Sequence, residues 1–206
     1  MIQTQVEFIE VTQNRYTALL AGKHTTGNDD ALRQKLAAMA TKGEAEVVET
    51  MVCMARDRQK ATAESITEFI YPTEYEPPEL PSDAGSKGAD EPTGPAPSAW
   101  DTRHLGSTLE VEPTLDEDTG AVDIRFVADV VRHVKNWVWL EWNGKHGASH
   151  VQMPVFHALR CNQSVVVTPG QPLLAATLTP KGQDGMPDAS RKIMVFVKCD
   201  LIPPGN

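Results

Sequence analysis

The chain has 206 residues and a mass of 22.5 kDa, enough to bury a sizeable core in one good-sized domain or two small ones. Hydrophobic residues make up 40% and charged residues 23%, the balance of a globular chain and not of a wholly disordered one. With 19 Lys+Arg against 28 Asp+Glu, and a net charge of -9, it lacks the basic surface that displaces counterions from phosphates, which argues against a nucleic-acid partner.

The first residues, Met1 to Glu7, carry neither the basic nor the apolar stretch of a secretory signal. The expectation is a cytoplasmic chain or a fragment whose leader is absent. No apolar run approaches the roughly 20 residues of a spanning helix. Residues 4–13, rich in Val, Phe, Ile and Thr, predict a strand. After a turn-rich stretch at residues 22–28, Asn28, Asp29 and Asp30 place acceptors where a helix leaves its first amides free. Leu32, Leu36 and Met39 then recur at helical spacing and Gly43 stops the run, a helix of about 13 residues. Residues 46–54 and 61–71 predict two strands. In the second, neither alternating face is cleanly apolar, which places it at a sheet edge or along a wet surface.

Residues 72–98 hold seven of the chain's 15 prolines, six acidic residues and a single Lys. Such a composition predicts a loop or flexible hairpin, long enough to suggest a functional insert. The second half reads as strands. Residues 107–115 alternate Leu109 and Val111 against Glu110 and Glu112. Residues 116–120 form a turn. In residues 122–130, Val122, Ile124, Phe126, Ala128 and Val130 share one face, with Asp123, Arg125 and Asp129 opposite, the clearest period of two in the chain. Residues 137–142 are apolar on both faces, residues 144–150 predict a turn, and strands follow within 153–168, at 171–179 after a Pro169-Gly170 turn, and at 191–202. The fold class expected is α+β, mainly β: an N-terminal α+β part (1–71), a Pro-rich acidic insert (72–98) and long antiparallel strands (99–206).

No constellation announces chemistry, and the chain reads as a non-enzyme without cofactor or metal. His146 and His150, with His133 and His157 nearby, have a four-residue spacing in a loop-like setting with no HExxH context, and read as exposed turn histidines. Glu110, Glu112 and the Asp116-Glu117-Asp118 run read as solvated face and turn. Cys53, Cys161 and Cys199 form no CxxC pair and read as small buried hydrophobes. Trp137, Trp139 and Trp142 are candidate interface aromatics: packing in the core or between subunits is favoured over a membrane girdle.

Several passages stand in a set order: residues 6–11; Gly43, Ala45, Val47, Val48, Gln59 and Ala61, running from helix to glycine to strand to a Gln-containing turn; residues 68–81; Gly106, Leu109, Val111 and Pro113 as "G..L.V.P"; Pro154 and Phe156 in "PVF"; Gly170 and Gln171 in the turn after "V.V"; and residues 193–205. In this order they resemble the secretins, ring-forming outer-membrane channels of bacterial type II and type III secretion and type IV pilus systems. Residues 6–11 resemble the strand that opens the secretin module, residues 68–81 are similar to one branch of the family, and residues 193–205 resemble its closing strand. The departures are residues 174–178 where the family has "LGGL", and residues 180–190 in place of the longer segment that supplies a membrane lip. The expectation is also that the ring-building domains that usually precede the module lie outside these 206 residues.

The resemblance implies a homo-oligomeric ring component with secretion or pilus machinery as partners, sited in the bacterial envelope (periplasm or outer membrane), with membrane association left open. It also implies that the insert, with Pro72, Pro77, Pro78, Pro81, Pro92 and Pro95, occupies a gate's position. The alternative is a reduced relative that acts as a periplasmic binding or scaffold domain without a pore. Independently, a few long antiparallel strands leave two unpaired sheet edges that closure into a ring would satisfy.

Overall fold

The computed structural model describes residues 1–21, 27–77, 93–145 and 147–203. Among these residues, eight strands and two helices follow in the order β1 (Ile2–Thr12), α1 (Gln13–Leu20), α2 (Asp30–Ala40), β2 (Glu46–Ala55), β3 (Ala61–Glu76), β4 (Ala96–Leu115), β5 (Val122–Gly144), β6 (Gly147–Val167), β7 (Leu173–Leu178) and β8 (Arg191–Leu201). They make two four-stranded sheets, ordered β2-β1-β8-β7 and β3-β4-β5-β6. The fold is α+β and mainly β.

The strands run longer than their sequence signals. β3 continues through Pro72 to Glu76 and β4 begins at Ala96, so both ends of the expected loop at 72–98 are strand. An edge strand tolerates proline where the missing N–H would face outward. The signals at 122–130 and 137–142 belong to one strand of 23 residues. The turn expected at 144–150 is shorter, because β6 starts at Gly147 and includes His150. Helix α1 is an addition, eight residues with no buried side chain.

Packing divides the chain into two compact units that interleave along the sequence: unit 1 comprises Met1–Ile66, Gly106–Val131 and Ala158–Asn206, and unit 2 comprises Thr67–Leu105 and Arg132–His157. Each of β3 to β6 contributes to both.

Unit 1 is layered. Period-2 alternation sends Val6 and Phe8 of β1, Cys53 of β2 and Val195, Val197 and Cys199 of β8 to one face of the first sheet. There they meet Leu109, Val111, Val122, Ile124, Phe126 and Cys161, forming one apolar core. Each large side chain so buried contributes about 1.5–3 kcal/mol. The alternate residues, Ile9 and Val11 of β1 and Met194 and Phe196 of β8, pack under the helices against Leu32 and Leu36. Glu7, on that same face, accepts two hydrogen bonds from the Arg33 guanidinium, each of 2.6 Å, tying α2 to β1. The Asp29 carboxylate does not cap its own helix; it accepts from Leu174 N–H at 2.8 Å and so joins the start of α2 to β7. Cys53, Cys161 and Cys199 are buried free thiols. Burial pushes Cys161 and Cys199 up to about 11.

Unit 2, taken by itself, consists of the other portions of β3 to β6 and the segment leading into β4. Pro95 is its one buried residue among those described.

Candidate assembly site

Among the described residues, the order β3-β4-β5-β6 leaves β3 and β6 as outer strands, each with a row of backbone groups that no neighbouring strand takes. Between them, β4 and β5 are held in register by facing apolar pairs, Leu109 with Ala128, Val111 with Phe126 and Pro113 with Ile124. Gly106 has φ +123, and a Cβ built there would lie 2.0 Å from the Ser65 carbonyl oxygen, so β3 approaches β4 closely only because this position is glycine. The Pro113 carbonyl accepts from Arg58 N–H at 2.8 Å. That side of β4 faces the turn before β3, where the proline's missing donor removes no ladder bond. Gly170, at φ +82, turns the chain after β6 and donates to the Cys199 carbonyl at 2.8 Å, while Gln171 N–H closes on the Thr168 carbonyl at 3.0 Å.

The two outer strands differ in charge. β3 exposes Glu64, Glu68, Glu74 and Glu76 along 16 residues, with no Lys or Arg. A row of like charge opposes pairing of β3 with another β3. β6 has no Asp or Glu in 21 residues, and its Arg160 is bound to Asp129 of β5 at 2.7 Å. Lys60, just before β3, meets Glu110 of β4 at 2.7 Å. Asp116 folds its own turn, accepting from the Thr119 hydroxyl at 2.6 Å and from Asp118 N–H at 3.0 Å, and these bonds hold its carboxyl below the usual range.

Within unit 2 the outer strands meet through side chains. The Phe156 ring of β6 lies 5.8 Å from Phe69 and 5.5 Å from Tyr71 of β3, both edge-to-face, a favoured aromatic geometry. His133 of β5 stacks on Phe69 at 4.7 Å and its Nε2 lies 2.8 Å from Asn136 Oδ1. Asn136 donates to the Gln152 side-chain oxygen at 3.2 Å. The Tyr75 hydroxyl donates to the backbone carbonyl of Gln152 at 3.1 Å and accepts from its N–H at 3.2 Å. Tyr71 donates to Asp101 at 3.3 Å; desolvation first, then that carboxylate, push its hydroxyl pKa up. A hollow of about 270 Å³ opens beside these groups, lined by Tyr71, Tyr75, Trp100, Asn136, Gln152 and Pro154 among others.

The sequence-predicted residues separate accordingly. Gly106, Leu109, Val111 and Pro113 share β4, and Pro154 and Phe156 lie on β6. Trp137 and Trp139 are 50% and 69% exposed and tilt against each other at 6.3 Å, so neither fills a core within the chain. Lys135 Nζ stands 5.2 Å over the Trp137 ring. Trp142 is half-buried, and Gly94 fits against its indole with no room for a Cβ. Pro72 lies in β3, Pro77 follows it, and Pro95 precedes β4; Pro78, Pro81 and Pro92 fall outside the described residues. His133 and His150 are strand residues and not turn histidines; His146 is outside the described residues. Among the described residues, no group of three or more His, Cys, Asp or Glu side chains could hold a metal.

The ring cluster was not foreseen. Its signal was the continued alternation Phe69, Tyr71, Tyr75, interrupted in appearance by Pro72.

No family model matches the chain, and no curated protein matches it. Solved structures do. The type II secretin GspD of enteropathogenic Escherichia coli is 12% identical with a TM-score of 0.44, covering 99% of this chain and 66% of that one. The secretin-domain barrel of InvG from the Salmonella SPI-1 injectisome is 8% identical with a TM-score of 0.45, covering 100% and 64%. PilQ, the type IV competence pilus secretin of V. cholerae, is 11% identical with a TM-score of 0.42, covering 98% and 57%. The chain spans less than two thirds of each of these three secretin chains.

Proposed function

We propose that this chain is a secretin-like ring component of bacterial protein secretion or pilus passage, sited in the cell envelope and acting by assembly and not by chemistry. The observation that carries the reading is the open sheet. Its outer strands have 16 and 21 residues. At ~3.3 Å per residue, the longer one presents about 70 Å of strand edge. A lone protomer that leaves such edges unsatisfied is an aggregation hazard, and closure of many copies into a barrel removes every edge together. β3 is acidic and β6 has no carboxylate, so a β3–β6 joint avoids the repulsion of a β3–β3 joint, which supports head-to-tail joining, the heterologous arrangement that closes into rings. The exposed apolar stretch Trp137, Val138, Trp139 and Leu140 supports burial against a neighbour or a lipid interface.

Light scattering coupled to size exclusion, with negative-stain imaging, tests the reading. The expected result is a ring of many copies; a persistent monomer in all conditions, detergent included, overturns it.

A second reading, a reduced relative working as a periplasmic binding or scaffold domain without a pore, is favoured by one observation. In unit 2 the outer strands already touch within the protomer through Phe156 and Tyr75. A monomer that captures a partner from the secretion machinery would support it.

A further inference from the structure

We propose that Tyr75 and the Phe156 ring cluster form a latch that closes unit 2 in the lone protomer and that a second copy must displace on assembly. The inference rests on the ring reading and adds to it a regulation of the same edge.

In a flat sheet of order β3-β4-β5-β6, three ladder spacings of ~4.8 Å would hold the outer strands about 14 Å apart. In unit 2 side chains bridge that span: the rings of Phe156 and Tyr71 are 5.5 Å apart. The Tyr75 hydroxyl then engages both backbone groups of Gln152. In an antiparallel strand the N–H and C=O of one residue leave on the same side. Since β5 lies on the other side of β6, the groups of Gln152 point off the edge, and they are the pair that a neighbouring strand would take. A phenolic hydroxyl, donor and acceptor in one, substitutes for that strand.

Pro154, two residues further along, has no N–H to offer in the same direction. Between His150 and Phe156, Tyr75 therefore occupies the outward donor that the edge retains. The Gln152 side chain is fixed in turn by Asn136, which is held by His133 stacked on Phe69, so backbone cap and ring cluster form one connected unit. The occupant that competes for it is β3 of a second copy, because β3 is acidic along its length and β6 carries no carboxylate.

The test uses the full chain and its Tyr75→Phe variant, which keeps the ring and removes only the hydroxyl; circular dichroism verifies folding. Two hydrogen bonds of ordinary net strength are worth about a tenfold change in equilibrium. The variant is therefore expected to assemble at about a tenfold lower concentration, with faster amide exchange in the peptide that contains Gln152. Phe156→Ala, which opens the ring cluster, should shift assembly in the same direction. Equal assembly of wild type and both variants, or weaker assembly of Tyr75→Phe, overturns the latch while leaving the ring reading intact. If no form assembles, the ring reading falls and the latch, as a control on assembly, falls with it.

Discussion

The two units share the same four strands, β3 to β6, and are stabilised in opposite ways. In unit 1, β5 alternates fully buried Val122, Ile124, Phe126 and Ala128 with residues that reach solvent, because a second sheet covers one face. In unit 2 the same strand leaves Trp137, Val138, Trp139 and Leu140 exposed on both faces. There the ladder and a few contacts between outer strands hold the sheet. Strand length and hydrogen bonding alone therefore do not make a core; a covering layer does. Unit 2 has apolar surface without its cover, the condition in which a partner surface contributes most.

The sharpest way to break this contrast is to remove a ring from each unit. Phe126→Ala, at a site 1% exposed, should destabilise by about 3–5 kcal/mol, read as a lowered urea midpoint with unchanged m-value. A loss below about 1 kcal/mol would show that the sandwich is not the stability centre. Next in size is an alkaline effect confined to unit 1, where all three cysteines lie. Burial raises Cys161 and Cys199 from an ordinary 9.0 to about 11. The folded state thus favours the neutral thiol: its contribution is complete below pH 9 and is lost as pH rises through 11. Unfolding midpoints should fall across that window, less so in Cys199→Ala, and a thiol reagent at pH 8 should label the folded chain slowly and the unfolded chain fast. The smallest effect belongs to Trp139→Ala, which should change protomer stability by less than about 0.5 kcal/mol because the ring touches little within the chain. A large loss would mean that unit 2 depends on a packing that this exposed position does not provide.

Much of unit 1 was legible in the chain. The strict alternation at 122–130 specified its buried face, and the apolar spacing of Leu32 and Leu36 specified the helix face that packs on β1. The mixed faces of residues 61–71 fitted either a sheet edge or a wet surface, and β3 is an outer strand. Three features were hidden for physical reasons. Helix α1 has only eight residues, in which Tyr16, Leu19 and Leu20 make a single apolar turn against the core, too little to register as a period. Pro72 reads as a breaker, yet an outer strand has a side on which a missing N–H costs nothing. The Trp137–Trp142 run is apolar on both faces and reads as packed in the core or between subunits, because periodicity carries no information on whether a layer of the same chain exists to cover them. The Tyr75–Gln152 contact joins residues 77 positions apart; only the order of strands brings them together.

The distribution of indole rings has a practical corollary. All four tryptophans, Trp100, Trp137, Trp139 and Trp142, belong to unit 2, so ultraviolet emission from indole originates entirely there and leaves the sandwich dark. Iodide quenching of that glow thus measures, without any attached dye, how much of unit 2 a neighbouring molecule has shielded.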